Sequence, residues 1–242
     1  FKSSKTNILD KEELKAAFSA MGEDKYMQEF ECSFSAPVEG SYYSKIMNEL
    51  EEKNRFIDIE RDGLARTYTG WDLGMSDSTA IWVAQLVNKE VRLVDYCENH
   101  GVGLEYYVEW LQHNDWMYAT HILPHDVAVR ELGTGKSRKE MLEDAGLTVE
   151  IAPKLTVMDG IQAVRRLLPR CWFDPKTKQG YDALRNYRRV FDDKRNVFHD
   201  RPLHDWASHG SDAFRYLAVG IDDSPMEGWN KPLQQINNAW IV

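Results

Sequence analysis

The strongest indication of the fold comes from the segment Thr67-Tyr68-Thr69-Gly70-Trp71-Asp72-Leu73-Gly74. Its β-branched and aromatic residues favour a strand over residues 67–73 that ends at the glycine. Alternation along a strand places Tyr68, Gly70 and Asp72 on one face of the sheet. A carboxylate inside an apolar strand costs free energy unless it is paired or binds a cation. Asp72 is therefore the first candidate metal ligand, and capping of the following turn is the alternative.

In the segments that follow, the spacing of apolar residues alternates between the period of a strand and the period of a helix. Two further strands, joined by a tight turn at Asn88 and Lys89, complete an antiparallel meander. The later elements are predicted from apolar periodicity and from Gly and Pro at their ends. The predicted strands cover residues 67–73, 79–87, 91–98, 119–123 and 147–151, and the predicted helices cover 104–111, 136–145, 158–168 and 202–220. This order is typical of an RNase H-like α/β fold, in which a mixed five-stranded sheet is flanked by helices.

The first 55 residues differ from the rest of the chain. Asp10 and Glu13 have the spacing of a capping box, which predicts a helix ending near Gly22, and a charged helix is expected over residues 44–53. We interpret residues 1–55 as a helical linker or arm from a preceding domain. Residues 56–222 are then the main domain and 223–242 a C-terminal tail. The first residue is Phe1 and not Met, which suggests a piece of a longer protein.

Composition limits the class of protein without deciding its partner. The chain has 43% hydrophobic residues and a formal net charge of −9, an ordinary balance for a globular domain. No apolar run approaches the roughly 18 residues of a membrane span, and no secretion leader is visible. Cys32, Cys97 and Cys171 lack metal-ligand spacing, so we expect small buried side chains in a reducing compartment. The acidic charge opposes binding to nucleic acid, but bound metal ions would offset part of it.

The second candidate ligand follows the fourth predicted strand. Asp126 comes directly after Pro124 and His125, at the carboxyl end of that strand. Functional sites in α/β sheets gather at the carboxyl ends of strands. The first and fourth strands are neighbours in an RNase H-like sheet, so their ends would bring Asp126 close to Asp72. Capping of the loop is the alternative for this residue.

The last predicted helix supplies the third candidate, Asp212. Its apolar stripe includes Trp206, Phe214 and Leu217, and Gly210 indicates a close approach of the helix to the sheet. Polar side chains share another flank at spacings of four, three and four residues. They are Asp205, His209, Asp212 and Tyr216. Asp205 and His209 are therefore second-tier candidates, together with Asp77, which can equally be a turn residue.

Three carboxylates around one point repel each other unless divalent cations lie between them. Oxygen ligands favour Mg²⁺ or Mn²⁺ over zinc. Two such ions can activate water and stabilise the leaving oxygen in phosphodiester hydrolysis, so no nucleophilic Ser or Cys is required.

Two segments resemble nucleotide-binding motifs. The segment Gly133-Thr134-Gly135-Lys136-Ser137 ends like a P-loop, but the full pattern needs a glycine where Arg130 stands. Lys136 and Arg138, at the start of a helix, can instead contact DNA phosphate. The Asp72-Leu73-Gly74 turn resembles the phosphate-binding hairpin of sugar kinases and actin-like ATPases. Those proteins contain a second copy of the core, and we find none in these 242 residues.

Three sequence blocks resemble the nuclease domain of tailed-bacteriophage large terminases. The blocks are Gly70–Gly74 with Asp77–Ala80, Pro124–Asp126 followed by Gly135–Arg138, and Ser208–Tyr216. The last is the most specific, because a Ser-His-x-x-Asp-Ala-x-Arg-Tyr run on a terminal helix is rare by chance. The resemblance extends over about residues 25–220.

This resemblance implies an endonuclease that cleaves concatemeric double-stranded viral DNA during genome packaging, in the cytoplasm of the host cell. It implies that Asp72, Asp126 and Asp212 are the metal ligands. The full-length protein would add an ATPase motor domain, a small terminase subunit and a portal as partners. This chain has no motor domain and no Walker A loop, so we expect no ATP hydrolysis from it. A kinase-like phosphotransferase and a non-catalytic DNA- or procapsid-binding module are the alternatives.

Overall fold

A six-stranded mixed sheet forms the centre of the molecule. The structure, a computed structural model, describes residues 38–74, 77–130 and 135–221. In spatial order the strands are β5 (Thr148–Ile151), β4 (Thr120–Leu123), β1 (Arg66–Asp72), β2 (Ser78–Val87), β3 (Glu90–His100) and β6 (Cys171–Phe173). Strands β1, β2 and β3 pair antiparallel, whereas β4, β5 and β6 pair parallel to their neighbours. The predicted meander and the predicted adjacency of β1 and β4 are therefore confirmed.

The sheet has one strand more than the five that we predicted. The additional strand, β6, is three residues long and pairs with β3 at the sheet edge. A strand this short has too few residues to show alternation, so its sequence does not reveal it. A separate two-stranded hairpin, β7 (Arg189–Asp192) and β8 (Val197–Pro202), was also not predicted.

Helices cover both faces of this sheet. They are α1 (Ser44–Glu52), α2 (Leu104–His113), α3 (Arg138–Asp144), α4 (Val157–Leu167), α5 (Lys178–Asn186) and α6 (Ser208–Gly220). The start of α3 is fixed by a capping box in which the Ser137 hydroxyl accepts from the Glu140 amide at 3.1 Å. In return, the Glu140 carboxylate accepts from the Ser137 amide at 2.7 Å. Of the described helices, none combines the length and apolarity that crossing a bilayer requires.

Alternate side chains of the strands build two hydrophobic cores, one on each face of the sheet. Trp82 and Phe214 belong to the core between the sheet and helices α1, α4, α5 and α6. Trp71 and Leu111 belong to the core beneath α2 and α3. Cys97 and Cys171 are buried free thiols, as predicted, and Cys32 lies outside the described residues. The result is a three-layer α/β/α arrangement.

Helix α1, inside the segment interpreted as an arm, packs on the main domain. Met47 and Leu50 of this helix are buried in the same core as α6. The Arg185 guanidinium donates to the Glu51 carboxylate at 2.9 Å, which joins α1 to α5. The helix predicted near residues 10–22 and the tail 223–242 lie outside the described residues.

The last helix begins at Ser208 and not near Pro202, as we predicted. Pro202 belongs to β8, where it pairs with Arg189. The Asp205 carboxylate accepts from the Ala207 amide at 2.9 Å, so it caps the turn before the helix. Trp206 is 57% exposed and is not part of the apolar stripe. The prediction failed because the apolar spacing of the helix continues by chance into the preceding loop.

Candidate metal centre

Two glycines allow the sheet and helix α6 to approach closely. A Cβ atom on Gly70 would lie 2.4 Å from the Leu217 Cβ and 2.7 Å from the Ala213 carbonyl oxygen. The Gly210 carbonyl accepts from the Trp82 indole at 2.7 Å, and a Cβ there would lie 2.6 Å from the Tyr96 hydroxyl. The close approach predicted from Gly210 is confirmed. It places the carboxyl end of β1 beside the first turns of α6.

Asp72 ends β1 and faces α6. Its Oδ2 atom lies 3.4 Å from the Nδ1 atom of His209. Burial raises the pKa of Asp72, the hydrogen bond from His209 opposes that shift, and the negative charge of Asp212 adds to it. The contact with Asp72 in turn raises the pKa of His209. A half-buried carboxylate beside a second carboxylate is a local excess of negative charge that a cation would relieve.

Asp212 is held on α6 by two donors that share one of its oxygens. Its Oδ1 atom accepts from the Tyr187 hydroxyl at 2.8 Å and lies 3.4 Å from Nη2 of Arg215. Burial, the largest influence, would lower the pKa of Arg215, but Asp212 and the neighbouring Tyr187, Tyr216 and Tyr43 together outweigh it, so the pKa of this guanidinium is raised. Burial and Asp212 together raise the pKa of Tyr187, which keeps its hydroxyl protonated as a donor.

Asp126 lies in a short 3₁₀ turn, His125–Ala128, directly after β4 and is exposed. All three predicted carboxylates influence one neighbour, Tyr216. Burial raises the pKa of Tyr216, Arg215 lowers it, and the charges of Asp72, Asp212 and Asp126 raise it further. The charges of all three carboxylates therefore act on the same side chain. Their oxygens do not, however, form a group of described ligand atoms within 4.8 Å of one another.

A tighter cluster of ligand atoms forms beside Asp72. Asp77, His204 and His209 each offer one ligand atom, and these atoms all lie within 4.8 Å of one another. The Asp77 carboxylate lies 2.9 Å from Nε2 of His204 and 3.0 Å from Nε2 of His209. The Ser78 amide and then His204 hold the pKa of Asp77 below its usual range. Sequence reasoning missed His204 because a spacing of five from His209 would separate the two on a helix, whereas His204 precedes the helix.

Asp205 is turned away from this arrangement. Besides capping the turn before α6, its carboxylate lies 3.8 Å from the Arg188 guanidinium. The predicted alignment of Asp205 with His209 and Asp212 along one helix flank was wrong, because the helix begins after Asp205.

The two basic residues predicted to contact DNA lie at the start of α3. Nζ of Lys136 is 2.6 Å from the Asp144 carboxylate, and the Arg138 guanidinium donates to the Leu73 carbonyl at 3.5 Å. Arg138 thus reaches the residue that follows Asp72. The Ser137 hydroxyl serves the capping box of α3, and residues 133–134 of the P-loop-like segment lie outside the described residues.

The donor set around β1 and α6 fits a hard divalent cation. Asp72 and Asp212 supply carboxylate oxygens, the ligand type that Mg²⁺ and Mn²⁺ prefer. The charge of Asp212 adds to the cost of ionising Asp72, which a bound cation would remove. The Oδ2 atom of Asp212 is left for such a cation, since its Oδ1 serves Tyr187 and Arg215.

Comparison with known proteins establishes the fold. No protein-family model and no curated protein sequence matches the chain. The solved structure of a large terminase from a thermophilic bacteriophage is similar, with 19% identity and a TM-score of 0.58 over 90% of this chain and 54% of that one. The nuclease domain of the P22 large terminase is 18% identical, with a TM-score of 0.52 over 69% of this chain and 87% of that one. The chain thus spans about half the length of the thermophilic phage protein and has the predicted RNase H-like fold of terminase nuclease domains.

Proposed function

We propose that this chain is a metal-dependent endonuclease domain that cleaves concatemeric double-stranded viral DNA during genome packaging. The observation that supports this function is the position of Asp72 at the end of β1 and of Asp212 on α6, where the charge of Asp212 raises the pKa of Asp72, in a fold shared with the P22 nuclease domain. Asp126 follows the neighbouring strand β4, and its charge, like those of Asp72 and Asp212, raises the pKa of Tyr216.

The protein's own residues would bind and orient the reacting groups. Asp72, Asp126 and Asp212 would hold two Mg²⁺ or Mn²⁺ ions, which when bound supply water activation and stabilisation of the leaving oxygen. Tyr187 and Arg215 fix the direction in which Asp212 presents its remaining oxygen. His209 orients Asp72 through their shared contact, and Asp77 and His209 border the centre as secondary groups.

DNA would be recognised mainly through its backbone. Arg138 approaches the carboxyl end of β1, so the start of α3 lies next to the carboxylates. Lys136 and Arg138 there would contact phosphates, which position a duplex without conveying its sequence. In a full-length terminase, residues 1–55 would join this domain to an ATPase motor, with the small subunit and the portal as further partners in the host cytoplasm.

The test is cleavage of supercoiled plasmid in Mn²⁺ or Mg²⁺. We expect nicking or linearisation that a chelator abolishes, and a loss of at least about 100-fold in Asp72→Asn, Asp126→Asn or Asp212→Asn, since each removes a direct ligand. Asp58→Asn, which changes an exposed carboxylate elsewhere, should cut like the parent.

Three results would contradict the assignment. Cleavage that survives Asp72→Asn and Asp212→Asn would place the chemistry elsewhere. Salt-sensitive DNA binding without cleavage in any divalent metal would identify a binding module. Stabilisation by millimolar ATP, also without cleavage, would favour a phosphotransferase.

A further inference from the structure

A cleft with three basic side chains lies at the end of the sheet opposite to the carboxylates. Its volume is about 670 Å³, and it is lined by Arg55, Lys89, Glu90, Pro169 and Arg170. The turn between β2 and β3, which contains Lys89, lies beside the start of β1, whereas Asp72 ends β1. Along β3, the residue level with Asp72 is Glu98, which is about 25 Å from Glu90 at the rise of a strand. The cleft is therefore separate from the candidate metal centre.

Arg55 is fixed at the wall of this cleft by its side chain and by its backbone. The guanidinium carbon lies 3.8 Å from the centroid of the Trp172 ring, which is a cation–π contact. The Arg55 carbonyl accepts from the Phe173 amide at 2.8 Å, so residue 55 is joined to β6. The side chain is 24% exposed. The guanidinium is therefore held in place while part of it faces the cleft.

Two donors beside the cleft lack an acceptor. Nη1 of Arg55 and Nε1 of Trp172 are buried atoms, and neither has a hydrogen-bond partner among the residues that the structure describes. The Glu90 carboxylate lies 3.7 Å from Nη1, which is too far for a hydrogen bond. A buried donor without a partner costs free energy, and both of these groups can only donate. The ligand atoms that would satisfy them are therefore acceptor oxygens.

The charges of the cleft favour an anion with more than one negative charge. Arg55, Lys89 and Arg170 contribute three positive charges and Glu90 one negative charge, which leaves +2 in a chain of net charge −9. Nε of Arg170 donates to the Lys89 carbonyl at 2.5 Å, so the 3₁₀ turn Leu168–Arg170 is joined to the turn that contains Lys89. A phosphate monoester carries about −1.5 to −2 charges at pH 7 and offers three strong acceptor oxygens. It matches both the charge of the cleft and the unsatisfied donors.

We propose that this cleft binds a small phosphate monoester, whose phosphate group is held by Arg55, Lys89 and Arg170. Arginine is suited to this role because its planar guanidinium can donate two hydrogen bonds to one phosphate. The volume falls within the range of small-molecule sites, about 300–1,000 Å³, and leaves room for the organic part of the ligand. The phosphates of a DNA backbone are diesters with one charge each, which matches the cleft less well. The proposal goes beyond the nuclease function and does not depend on it.

The test is isothermal titration calorimetry of the full 242-residue chain with inorganic phosphate and with adenosine monophosphate. A chelator in the buffer prevents phosphate from binding through a metal ion at the carboxylates. We expect one ligand per chain, and Arg55→Gln should weaken binding at least about tenfold because charged hydrogen bonds are lost. Glu90→Gln should strengthen binding, because it removes an anion that competes for Arg55. Arg195→Gln changes an arginine that pairs with Asp192 on the hairpin, so it should bind like the parent.

Lys89→Gln guards against a loss of structure in Arg55→Gln, since Lys89 is exposed and its substitution removes only charge from the cleft. We expect weaker phosphate binding in this variant as well. Affinities equal to that of the parent in both Arg55→Gln and Lys89→Gln would overturn the proposal, as would a parent that binds neither ligand at millimolar concentration. Displacement of bound phosphate by a duplex without terminal phosphates would also overturn it, because the cleft would then belong to a DNA-backbone interface. Plasmid cleavage should be unchanged in Arg55→Gln, so failure of this proposal and failure of the nuclease function are separate results.

Discussion

At the scale of single residues, the contacts of Asp212 restrict how it could bind the metal ion that we propose. A free aspartate rotates and can offer either oxygen, or both, to a cation. Here Tyr187 and Arg215 both approach Oδ1, so the rotation is restricted and Oδ2 is the oxygen left for a ligand role. The positively charged Arg215 is largely buried, with a side chain 12% exposed, and Asp212 is its ion-pair partner. Asp212 therefore neutralises a largely buried guanidinium and, in the proposed function, would also hold a metal ion.

We predict that Tyr187→Phe impairs the use of metal more than the fold. A hydrogen bond to a charged group contributes about 1.5–3 kcal/mol, so its loss should raise the metal concentration for half-maximal cleavage by roughly tenfold or more. The KM for DNA should change little, since Tyr187 acts through Asp212. The measurement is plasmid cleavage across a Mn²⁺ series at fixed DNA, then across a DNA series at saturating Mn²⁺.

Tyr43→Phe is the matched control. The Tyr43 ring stacks on Tyr187 with centroids 5.8 Å apart, and its buried hydroxyl has no hydrogen-bond partner among the described residues. Removing that hydroxyl should leave the metal dependence as in the parent. An equal change of metal dependence in Tyr187→Phe and Tyr43→Phe would show that these two tyrosines act only through packing, and not through the hydrogen bond to Asp212.

At the scale of elements, the centre depends on how closely β1 packs against α6. Gly70→Ala adds a Cβ that would lie 2.4 Å from the Leu217 Cβ and 2.7 Å from a helix carbonyl, and neither atom can rotate away. We expect a loss of about 1–3 kcal/mol in the free energy of unfolding, typical of overpacking. Metal-dependent cleavage should fall as well, because the strand and helix that bear Asp72 and Asp212 are forced apart. Urea denaturation and plasmid cleavage measure the two effects.

Gly63→Ala tests whether the effect comes from the close approach or from the loss of a glycine. No heavy atom lies within 4 Å of a Cβ at Gly63. Its substitution should change stability by no more than about 0.5 kcal/mol. Unfolding curves for Gly70→Ala and Gly63→Ala that coincide would refute the packing argument.

Elements with a long periodic pattern were predictable from the sequence, and short or interrupted ones were not. Strands β1 to β3 run 7 to 11 residues, enough for alternation and turn residues to define them. Strand β6 has three residues and is fixed by pairing with β3, a contact about 80 positions away in the sequence. The start of α6 was misplaced because Asp205 and Trp206 fit the helical spacing although they precede the helix.

The residues of the candidate site also fall into two groups, those with a local signal in the sequence and those without one. The sequence indicated Asp72, Asp126 and Asp212 as candidates because each carboxylate occupies a conspicuous place at a strand end or on a helix. Tyr187 and His204 gave no such indication. Tyr187 follows a helix that was not predicted, and His204 precedes one whose start was misplaced. Partners that long-range packing brings to a site leave no mark in local spacing.

At the scale of the whole molecule, stability depends on a sheet whose two faces are both covered. His121 lies in β4 within this covered sheet and is fully buried. The Trp71 indole donates to the Thr69 hydroxyl oxygen at 2.7 Å, and the same hydroxyl lies 2.7 Å from Nδ1 of His121. Burial disfavours the charged form of this imidazole, so His121 is neutral in the folded chain near pH 7.

This neutral histidine makes global stability depend on pH. Burial lowers the pKa of His121 from 6.5 to about 4, with partial opposition from the Met117 backbone. Between these values the unfolded chain binds a proton that the folded chain does not, so the contribution is fully present above pH 6.5 and is lost as the pH falls towards 4. The shift corresponds to about 3 kcal/mol in the free energy of unfolding.

We expect urea unfolding in chelator-containing buffer to show this loss, with a flatter pH dependence in His121→Asn, where the amide oxygen can still accept from Thr69. His113→Asn changes an exposed histidine and should follow the parent. Parallel pH profiles for the parent and His121→Asn would show that other groups cause the acid sensitivity.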